Sequence, residues 1–377
     1  MRTEQEKTEI RFGGRSIGSG ASVFVIAEIG INHNGSVTEA AKLIEAAAEC
    51  GVDAVKFQSF HADQLLIPSN DRYIQQMGAE SAYDLLRRCE LSFAEQEKLK
   101  THANEWGVMF LSTPFDKESV DFLDYLEVPV FKVASGDITH APLLQHIAAK
   151  GKPVFLSTGM SYMDEVADAV RCLRQGGVSD ILLMHCASTY PVSPMDMNLR
   201  ALETMQSYFG LLTGISDHSR GMLFSLAAVA MGAVVIEKHF TLDRGAAGPD
   251  HKASLDPSGL KKLVRNLRRL EAGLGAGGKR PAKAEAEGRK LGRRSIVAAV
   301  DINANEPIVP WMLICKRPGT GLAPKYCGQV EGMTVRRFIA RDTMIQWEDL
   351  QPAVSASISD SEDYGADSDR ISFFDPM

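Results

Sequence analysis

No run of apolar residues in this 377-residue chain approaches the roughly 18 that a membrane-spanning helix needs. The first residues, MRTEQEKTEIRFGGRSIG, also lack the apolar core of a secretory signal peptide. The six cysteines are scattered, and none forms a C-x-x-C pair, which argues against a zinc–thiolate site or a disulfide framework. These absences predict a cytoplasmic protein without a membrane partner.

A basic excess of the kind that binds nucleic acid is missing too. The net charge is -7, and the final segment, 353–377, holds six acidic side chains against one arginine. The rest of the chain is therefore nearly neutral, and nothing indicates a nucleic-acid partner. We predict that this acidic, serine-rich tail is disordered.

A regular alternation of short β-rich runs and helix-like stretches fills the middle of the chain. Eight units of this kind over about 250 residues predict a (β/α)₈ TIM barrel at 21–272, with a doubly wound sheet as the alternative. Thr38 is predicted to cap the first helix. The strand-like runs are Val23–Ile29, Ala54–Phe57, Val108–Leu111, Val130–Val133, Val154–Leu156, Ile181–Met184, Leu211–Ile215 and Ala233–Ile236.

The composition changes on both sides of the predicted barrel. A polar N-terminal segment, 1–20, precedes it, and a linker rich in glycine, alanine and charge follows at 273–288. Residues 289–352 then predict a small β-rich domain. Its strand-like pieces are Ser295–Val300, Pro307–Val309 and Thr343–Ile345.

Polar side chains follow nearly every predicted barrel strand, which is where TIM-barrel enzymes place their working residues. A single histidine or lysine at such a position is usually a packed or solvated residue, so the collective pattern carries the argument. One group of side chains offers cations and short hydroxyl donors that suit a phosphate or a carboxylate. That group is Lys56, Thr113, Lys132, Ser135, Ser157 and Ser216.

Two imidazoles suggest a metal site. His218 and His239 follow strands seven and eight, and adjacent strands lie about 4.8 Å apart, so both rings can converge on one ion. Two histidines with water and substrate oxygens suit Mn²⁺. Glu28 follows the first strand, which closes the barrel beside the eighth, and its carboxylate can reach a water or a substrate hydroxyl there.

The motifs at these positions resemble the sialic acid synthase family over about residues 20–352. The barrel carries AEIGINHNG (27–35), DAVKFQ (53–58), STPF (112–115), KVASG (132–136), STGM (157–160), GISDH (214–218) and IEKHFT (236–241). RRS (293–295) and KRPGTG (316–321) resemble the antifreeze-like (SAF) domain attached to these synthases. The resemblance implies a TIM barrel followed by a SAF domain.

The resemblance also implies a reaction, in which phosphoenolpyruvate condenses with the open-chain aldehyde of an N-acylated amino sugar. The cation and hydroxyl group defined above would bind phosphoenolpyruvate. Glu28, His218 and His239 would be catalytic, with both histidines holding Mn²⁺, or Mg²⁺ or Co²⁺ in its place. Arg317 would act across a domain-swapped homodimer. The sugar would contact Gln58, Asp137, Tyr190, Asp250 and Arg317.

The identity of the sugar stays open at this stage. N-acetylmannosamine, giving N-acetylneuraminate, is the first candidate, ahead of N,N′-diacetyllegionaminate and pseudaminate synthesis. Asp137 stands where neuraminate synthases resembling this chain carry glutamate, which affects only the sugar half. A phosphorylated sugar, a non-catalytic sugar-binding protein and a metal hydrolase are further alternatives.

Overall fold

The computed structural model describes residues 8–18, 20–67 and 81–353. These residues belong to two compact units, the first ending at Ala276 and the second beginning at Gly277. No helix in the described ranges is both long and apolar enough to cross a membrane. Apart from Ala353, the tail lies outside the described residues, so its disorder stays a prediction.

The first unit consists of a short hairpin, eight parallel strands and the helices between them. The strands are β1 (Glu9–Phe12), β2 (Arg15–Gly18), β3 (Phe24–Gly30), β4 (Ala54–Ser59), β5 (Met109–Pro114), β6 (Phe131–Val133), β7 (Val154–Ser157), β8 (Ile181–His185), β9 (Leu212–Asp217) and β10 (Val235–His239). The helices are α1 (Val37–Glu49), α2 (Ala62–Leu65), α3 (Ala82–Cys89), α4 (Phe93–Glu105), α5 (Lys117–Tyr125), α6 (Ala141–Ala148), α7 (Met163–Gln175), α8 (Ala201–Phe209), α9 (Leu223–Ala230) and α10 (Pro257–Leu274).

The eight parallel strands pair in the order β5-β4-β3-β10-β9-β8-β7-β6. The two end strands, β5 and β6, also lie side by side, although no ladder joins them in the described part of the chain. The (β/α)₈ barrel predicted from the sequence is therefore confirmed, and each predicted run, including Leu211–Ile215, overlaps a strand.

Alternation along each strand divides the apolar side chains into two layers. In β3, Phe24 and Ile26 point into the barrel, whereas Val25 and Ala27 pack against the surrounding helices. The inward layer fills the amino-terminal half of the barrel with side chains such as Phe155 and Leu182. Polar side chains can therefore face inward only near the carboxyl ends of the strands.

Ser36, and not Thr38, caps the first helix, so that prediction was wrong. Ser36 keeps an extended backbone (φ −96°, ψ 115°), and its Oγ accepts a hydrogen bond from the backbone N–H of Glu39 at 3.3 Å. Thr38 lies one residue inside the helix, where its side chain can no longer reach the free N–H groups of the first turn.

The hairpin of β1 and β2 closes the amino-terminal end of the barrel, although the sequence analysis assigned no element to residues 1–20. Its apolar residues Ile10, Phe12 and Ile17 are buried in the inward layer. The Phe12 ring contacts the rings of Phe24 and Phe155 edge-on, with centroids 5.2 and 5.3 Å apart. The hairpin therefore completes the core that the strands leave open at this end.

The second unit contains β11 (Ser295–Ala298), β12 (Leu313–Lys316), β13 (Thr334–Val335) and β14 (Leu350–Gln351), with helices α11 (Ala286–Gly292) and α12 (Cys327–Val330). Antiparallel pairs join β11 to β12 and β13 to β14. The predicted pieces Pro307–Val309 and Thr343–Ile345 form only isolated bridges, because each meets its neighbour at a single residue. The unit has its own apolar core, built around Ile296, Ile302 and Val330.

Replacing Phe12 with alanine should lower the free energy of unfolding by about 3–5 kcal/mol, because the change leaves a cavity among packed rings. Denaturant titration would measure the loss. Arg11→Ala, on the exposed side of the same strand, is the control and should stay within about 0.5 kcal/mol of the parent. Equal effects of the two changes would contradict the packed hairpin.

Candidate active site

A cavity of about 620 Å³ opens at the carboxyl ends of the barrel strands. It is lined by every barrel residue predicted for the site except Asp137. Those residues are Glu28, Lys56, Gln58, Thr113, Lys132, Ser135, Ser157, Tyr190, Ser216, His218, His239 and Asp250. The strand ends therefore bring together side chains that are as far as 222 positions apart in the sequence.

Four buried charges lie at the base of the cavity. Lys56 Nζ is 2.7 Å from Glu28 Oε2 and 3.8 Å from Glu237 Oε1. Lys132 Nζ is 3.3 Å from the same Glu237 oxygen. Two lysines and two glutamates thus form one network of salt bridges.

Glu237 was not predicted as a site residue. Its inward direction could have been predicted from the alternation of β10, because Glu237 is two residues before His239 and therefore faces the same side. Its Oε1 also accepts a hydrogen bond from Ser216 Oγ at 3.0 Å. Glu237 is the common partner of both lysines and of one predicted anion-binding hydroxyl.

Burial and charge act in opposite directions on the two glutamates. Burial raises the pKa of Glu28 to about 7 despite the attraction of Lys56. Burial alone would also raise the pKa of Glu237, but Lys132 and Lys56 outweigh it and lower that pKa to about 2. Near neutral pH, Glu237 is therefore the permanent counter-charge, while Glu28 can gain or lose a proton.

Three hydroxyl groups form one wall of the cavity, and they differ in their hydrogen bonds. Thr113 Oγ1 accepts a hydrogen bond from Lys56 Nζ at 2.9 Å. Ser135 Oγ accepts one from the backbone N–H of Gly159 at 3.0 Å. Ser157 Oγ is buried and has no hydrogen-bond partner among the described residues. A buried hydroxyl without a partner is costly, so Ser157 is a donor ready for an anion.

Gly159 allows this wall to form. A Cβ at this position would lie 2.2 Å from Ser188 Oγ and 2.8 Å from Ser135 Oγ, which is too close for either contact. Only glycine therefore lets the loop after β7 approach the loop after β6 closely enough for its N–H to reach Ser135.

The two predicted metal ligands lie side by side at the ends of neighbouring strands. The ring centroids of His218 and His239 are 5.4 Å apart. Burial lowers the pKa of His218 to about 4 and that of His239 well below its ordinary value, so both rings are neutral near pH 7. Neutral imidazoles carry the lone pair that a metal ion needs.

Hydrogen bonds favour the same role. His218 Nδ1 lies 2.9 Å from the carbonyl oxygen of Ala187, so this nitrogen carries the proton and Nε2 keeps its lone pair. His239 Nδ1 is buried and has no hydrogen-bond partner in the described chain, with Asp250 Oδ2 3.6 Å away. The pair therefore fits a divalent ion. No group of three or more histidine, cysteine or carboxylate side chains that could hold a metal ion is found among the described residues.

Some of the other residues predicted to contact the sugar line the cavity, and others lie elsewhere. Gln58 Nε2 donates to Glu28 Oε1 at 3.4 Å, and the Tyr190 hydroxyl lies 3.1 Å from His218 Nε2. Asp137 is not among the lining residues, because the 3₁₀ turn Ser135–Asp137 carries it away from the strand end. Arg317 belongs to the second unit, where its side chain is exposed.

Comparison with protein-family models gives a match to the NeuB family over residues 43–279 and to the SAF domain over 293–351. The chain belongs to the NeuB family. This NeuB chain therefore has the barrel and SAF domain that its motifs implied, and its resemblance to sialic acid synthases is confirmed.

Relatives of this NeuB chain share nearly its whole length. A protein from Legionella pneumophila named N,N′-diacetyllegionaminic acid synthase is 43% identical, covering 89% of this chain and 96% of the relative. A synthase of the same name from Campylobacter jejuni is 40% identical, with coverages of 85% and 98%. The crystal structure of an N-acetylneuraminic acid synthetase from Leptospira borgpetersenii matches with a TM-score of 0.69 at 34% identity, covering 76% of this chain and 96% of that chain.

The free hydroxyl of Ser157 leads to a prediction. Ser157→Ala should leave the free energy of unfolding within about 1 kcal/mol of the parent, since no hydrogen bond is lost. It should weaken phosphoenolpyruvate binding roughly 10- to 150-fold, the equivalent of one hydrogen bond to a charged group. Calorimetric titration of phosphoenolpyruvate and denaturant unfolding measure the two effects.

A matched control exists in Ser119, whose hydroxyl is also buried without a partner in the described chain but lies on α5, outside the cavity. Ser119→Ala should change neither property. If Ser157→Ala bound phosphoenolpyruvate as tightly as Ser119→Ala, the assignment of Ser157 as an anion donor would be wrong.

Proposed function

We propose that this chain condenses phosphoenolpyruvate with the open-chain aldehyde of an N-acylated amino sugar, releasing phosphate and a nine-carbon sugar acid. One observation carries the proposal: two buried lysines and an unpartnered serine hydroxyl share a single cavity with two neutral histidines. The alternatives of a sugar-binding protein and a metal hydrolase explain this combination less well. The former needs no such charges, and the latter favours a carboxylate-rich cage.

The part of the cavity that the lysines and hydroxyl groups line would bind phosphoenolpyruvate. Lys56 and Lys132 supply the charge, and the hydroxyls of Thr113, Ser135 and Ser157 supply short donors to the phosphate or carboxylate. The Ser216 hydroxyl would join them by turning its O–H from Glu237 to the anion. The C=C π electrons of phosphoenolpyruvate then form a bond from its third carbon to the aldehyde carbon, and the C=O π electrons of the aldehyde move to its oxygen, which takes a proton from Glu28. Water adds to the carbon that carries the phosphate, and the tetrahedral intermediate breaks its bond to phosphate.

Glu28 is suited to move a proton during these steps. Its pKa of about 7 lets the carboxyl group accept a proton from the attacking water and return it near neutral pH. Its Oε1 is also within 3.4 Å of Gln58 Nε2, which orients the carboxyl group. His218 and His239 would hold Mn²⁺, with Mg²⁺ or Co²⁺ as substitutes, and the ion would polarise the aldehyde oxygen.

The sugar occupies the outer part of the cavity in this proposal, near Gln58, Tyr190 and Asp250. Among the described lining residues, Lys56 and Lys132 are the only cations, and both are paired with glutamates. Within one chain's barrel a second phosphate group would find no further described cation, so a phosphorylated sugar would depend on Arg317 of a partner chain. Asp137 lies outside the lining, so its proposed sugar contact has the least support.

Two candidate sugars remain. The relatives named N,N′-diacetyllegionaminic acid synthase favour a 2,4-diacetamido-trideoxyhexose. The apolar lining residues Ile31, Phe115 and Met160 fit the methyl groups of such a sugar. N-acetylmannosamine, giving N-acetylneuraminate, is the second candidate, supported by the likeness to the Leptospira synthetase.

A phosphate-release assay over a panel of amino sugars tests the proposal. Phosphate should appear only when phosphoenolpyruvate, a divalent ion and a sugar are all present. The specificity constant kcat/KM should be highest for the 2,4-diacetamido-trideoxyhexose and lower for N-acetylmannosamine and its 6-phosphate. Phosphate release that needs no sugar would contradict a synthase, whereas a preference for N-acetylmannosamine would reverse only the choice of sugar.

We further propose that the chain forms a cytoplasmic, domain-swapped homodimer in which Arg317 serves a partner's cavity. The six free cysteines suit a reducing compartment. A swap predicts that inactive Arg317→Ala and Lys132→Ala chains recover activity when mixed, because one site of a mixed dimer keeps both residues. Subunit exchange followed by the phosphate-release assay measures the recovery. Proven heterodimers without activity would mean that Arg317 does not act across chains.

A further inference from the structure

A second buried ion pair lies directly behind the two histidines. Asp217 Oδ2 and Lys238 Nζ are 3.0 Å apart, and both side chains are completely buried. The two residues face each other in the register between β9 and β10. Each comes immediately before a histidine, so alternation turns the ion pair away from the cavity while His218 and His239 turn toward it.

Stability alone does not explain this pair. Removing two charges from water is expensive, and apolar side chains of similar volume often replace a buried ion pair without loss of stability. The helix-facing layer of the barrel is otherwise built from apolar residues such as Ile215 and Ile236, which come just before the pair on the same two strands. The role of this ion pair is therefore inferred from its contacts.

Those contacts converge on Ser219, the residue after His218. Lys238 Nζ donates to the backbone carbonyl oxygen of Ser219, and Asp217 Oδ1 accepts from its backbone N–H at 2.8 Å. Asp217 Oδ2 also accepts from Ser225 Oγ at 2.6 Å, at the start of α9. Both backbone polar groups of Ser219 are thus fixed by the ion pair.

His218 needs such support more than His239 does. His239 is the last residue of β10, where it pairs with Glu28, and its carbonyl oxygen accepts from the N–H of Leu255 at 2.8 Å. His218 lies one residue beyond the end of β9, outside the strand ladder. Its backbone is held from one side by the N–H of Val192, at 3.2 Å. The ion pair holds it from the other side through Ser219.

We propose that the Asp217–Lys238 ion pair positions His218 beside His239 and thereby sets the affinity of this site for its divalent ion. The inference rests on the metal role given to the two histidines under the proposed function. Asp217 and Lys238 are positioning residues, since they contact neither the cavity nor the ion. Support behind metal-binding histidines typically contributes 10- to 100-fold to metal affinity.

The test replaces both charges at once, with Asp217→Leu and Lys238→Met in the full-length chain, so that no unpaired charge stays buried. Manganese binding is followed by electron paramagnetic resonance titration of free Mn²⁺, without substrates. We expect the double variant to bind Mn²⁺ 10- to 100-fold more weakly than the parent. Phosphoenolpyruvate binding without metal should change less than twofold, because the lysines that would hold it are untouched. Saturating Mn²⁺ should restore kcat to within about threefold.

Two further variants keep the outcome interpretable. Arg268→Met removes a partly buried ion pair with Asp53 near the amino-terminal end of the barrel, 3.3 Å long, and should leave Mn²⁺ affinity unchanged. Asp217→Asn combined with Lys238→Met keeps one acceptor for Ser219 and leaves no buried charge, and it should weaken Mn²⁺ binding by a smaller factor. It also supplies the measurement if the Asp217→Leu, Lys238→Met variant does not fold.

The results separate the inference from the function on which it rests. If His218→Ala binds Mn²⁺ as tightly as the parent, the metal assignment is wrong and the inference falls with it. If His218→Ala loses Mn²⁺ while the folded ion-pair variants keep full affinity, only the positioning role is overturned. Equal weakening of Mn²⁺ and phosphoenolpyruvate binding would overturn it too, because that pattern reports a general loss of structure.

Discussion

Lys56 and Lys132 share the carboxylate of Glu237, all three side chains are buried, and the barrel mouth is organised around this sharing. Neither lysine could stay charged there without a counter-charge, because burial penalises each of them. Glu237, at the end of one strand, supplies the counter-charge for both lysines. Ser216, on the neighbouring strand, donates to the same oxygen and keeps the carboxylate facing the lysines.

The same arrangement separates the tasks of the two glutamates. Glu237 lies close enough to two cations to stay ionised, whereas Glu28, which among the described residues forms a salt bridge with Lys56 alone, titrates near neutrality. One carboxyl group therefore keeps the lysines charged for an incoming anion, and the other stays free for proton transfer. The salt bridges of both lysines form without a substrate, so the site is preorganised for an anion.

Much of this site could be predicted from the sequence, because each barrel strand is an apolar run followed by a polar residue. Lys56, Lys132, His218 and His239 were found in this way. Asp137 does not line the cavity, although it follows the same strand as Ser135, because it is the last residue of a 3₁₀ turn; its sugar contact stays a prediction. Alternation shows which side of a strand a residue faces. It does not show a turn that changes the direction of the chain after the strand.

Elements too short to show a period were also missed. The hairpin strands EIRF and RSIG contain only three buried apolar residues between them, which is too few to reveal an alternating pattern. The two-residue strands Thr334–Val335 and Leu350–Gln351 give no pattern at all. Their pairing depends on partners distant in sequence, and a single sequence does not show which segments meet.

The hairpin at the amino-terminal end of the barrel also determines how the protein can be handled. Its strands lie at the end opposite the cavity, so an anchor attached just before Glu9 would leave the chain on the side away from the mouth. A resin attached through this end would lie on the side of the barrel away from the cavity. The same geometry allows a fluorescent partner or a second enzyme to be fused ahead of the hairpin without standing in the path of small molecules.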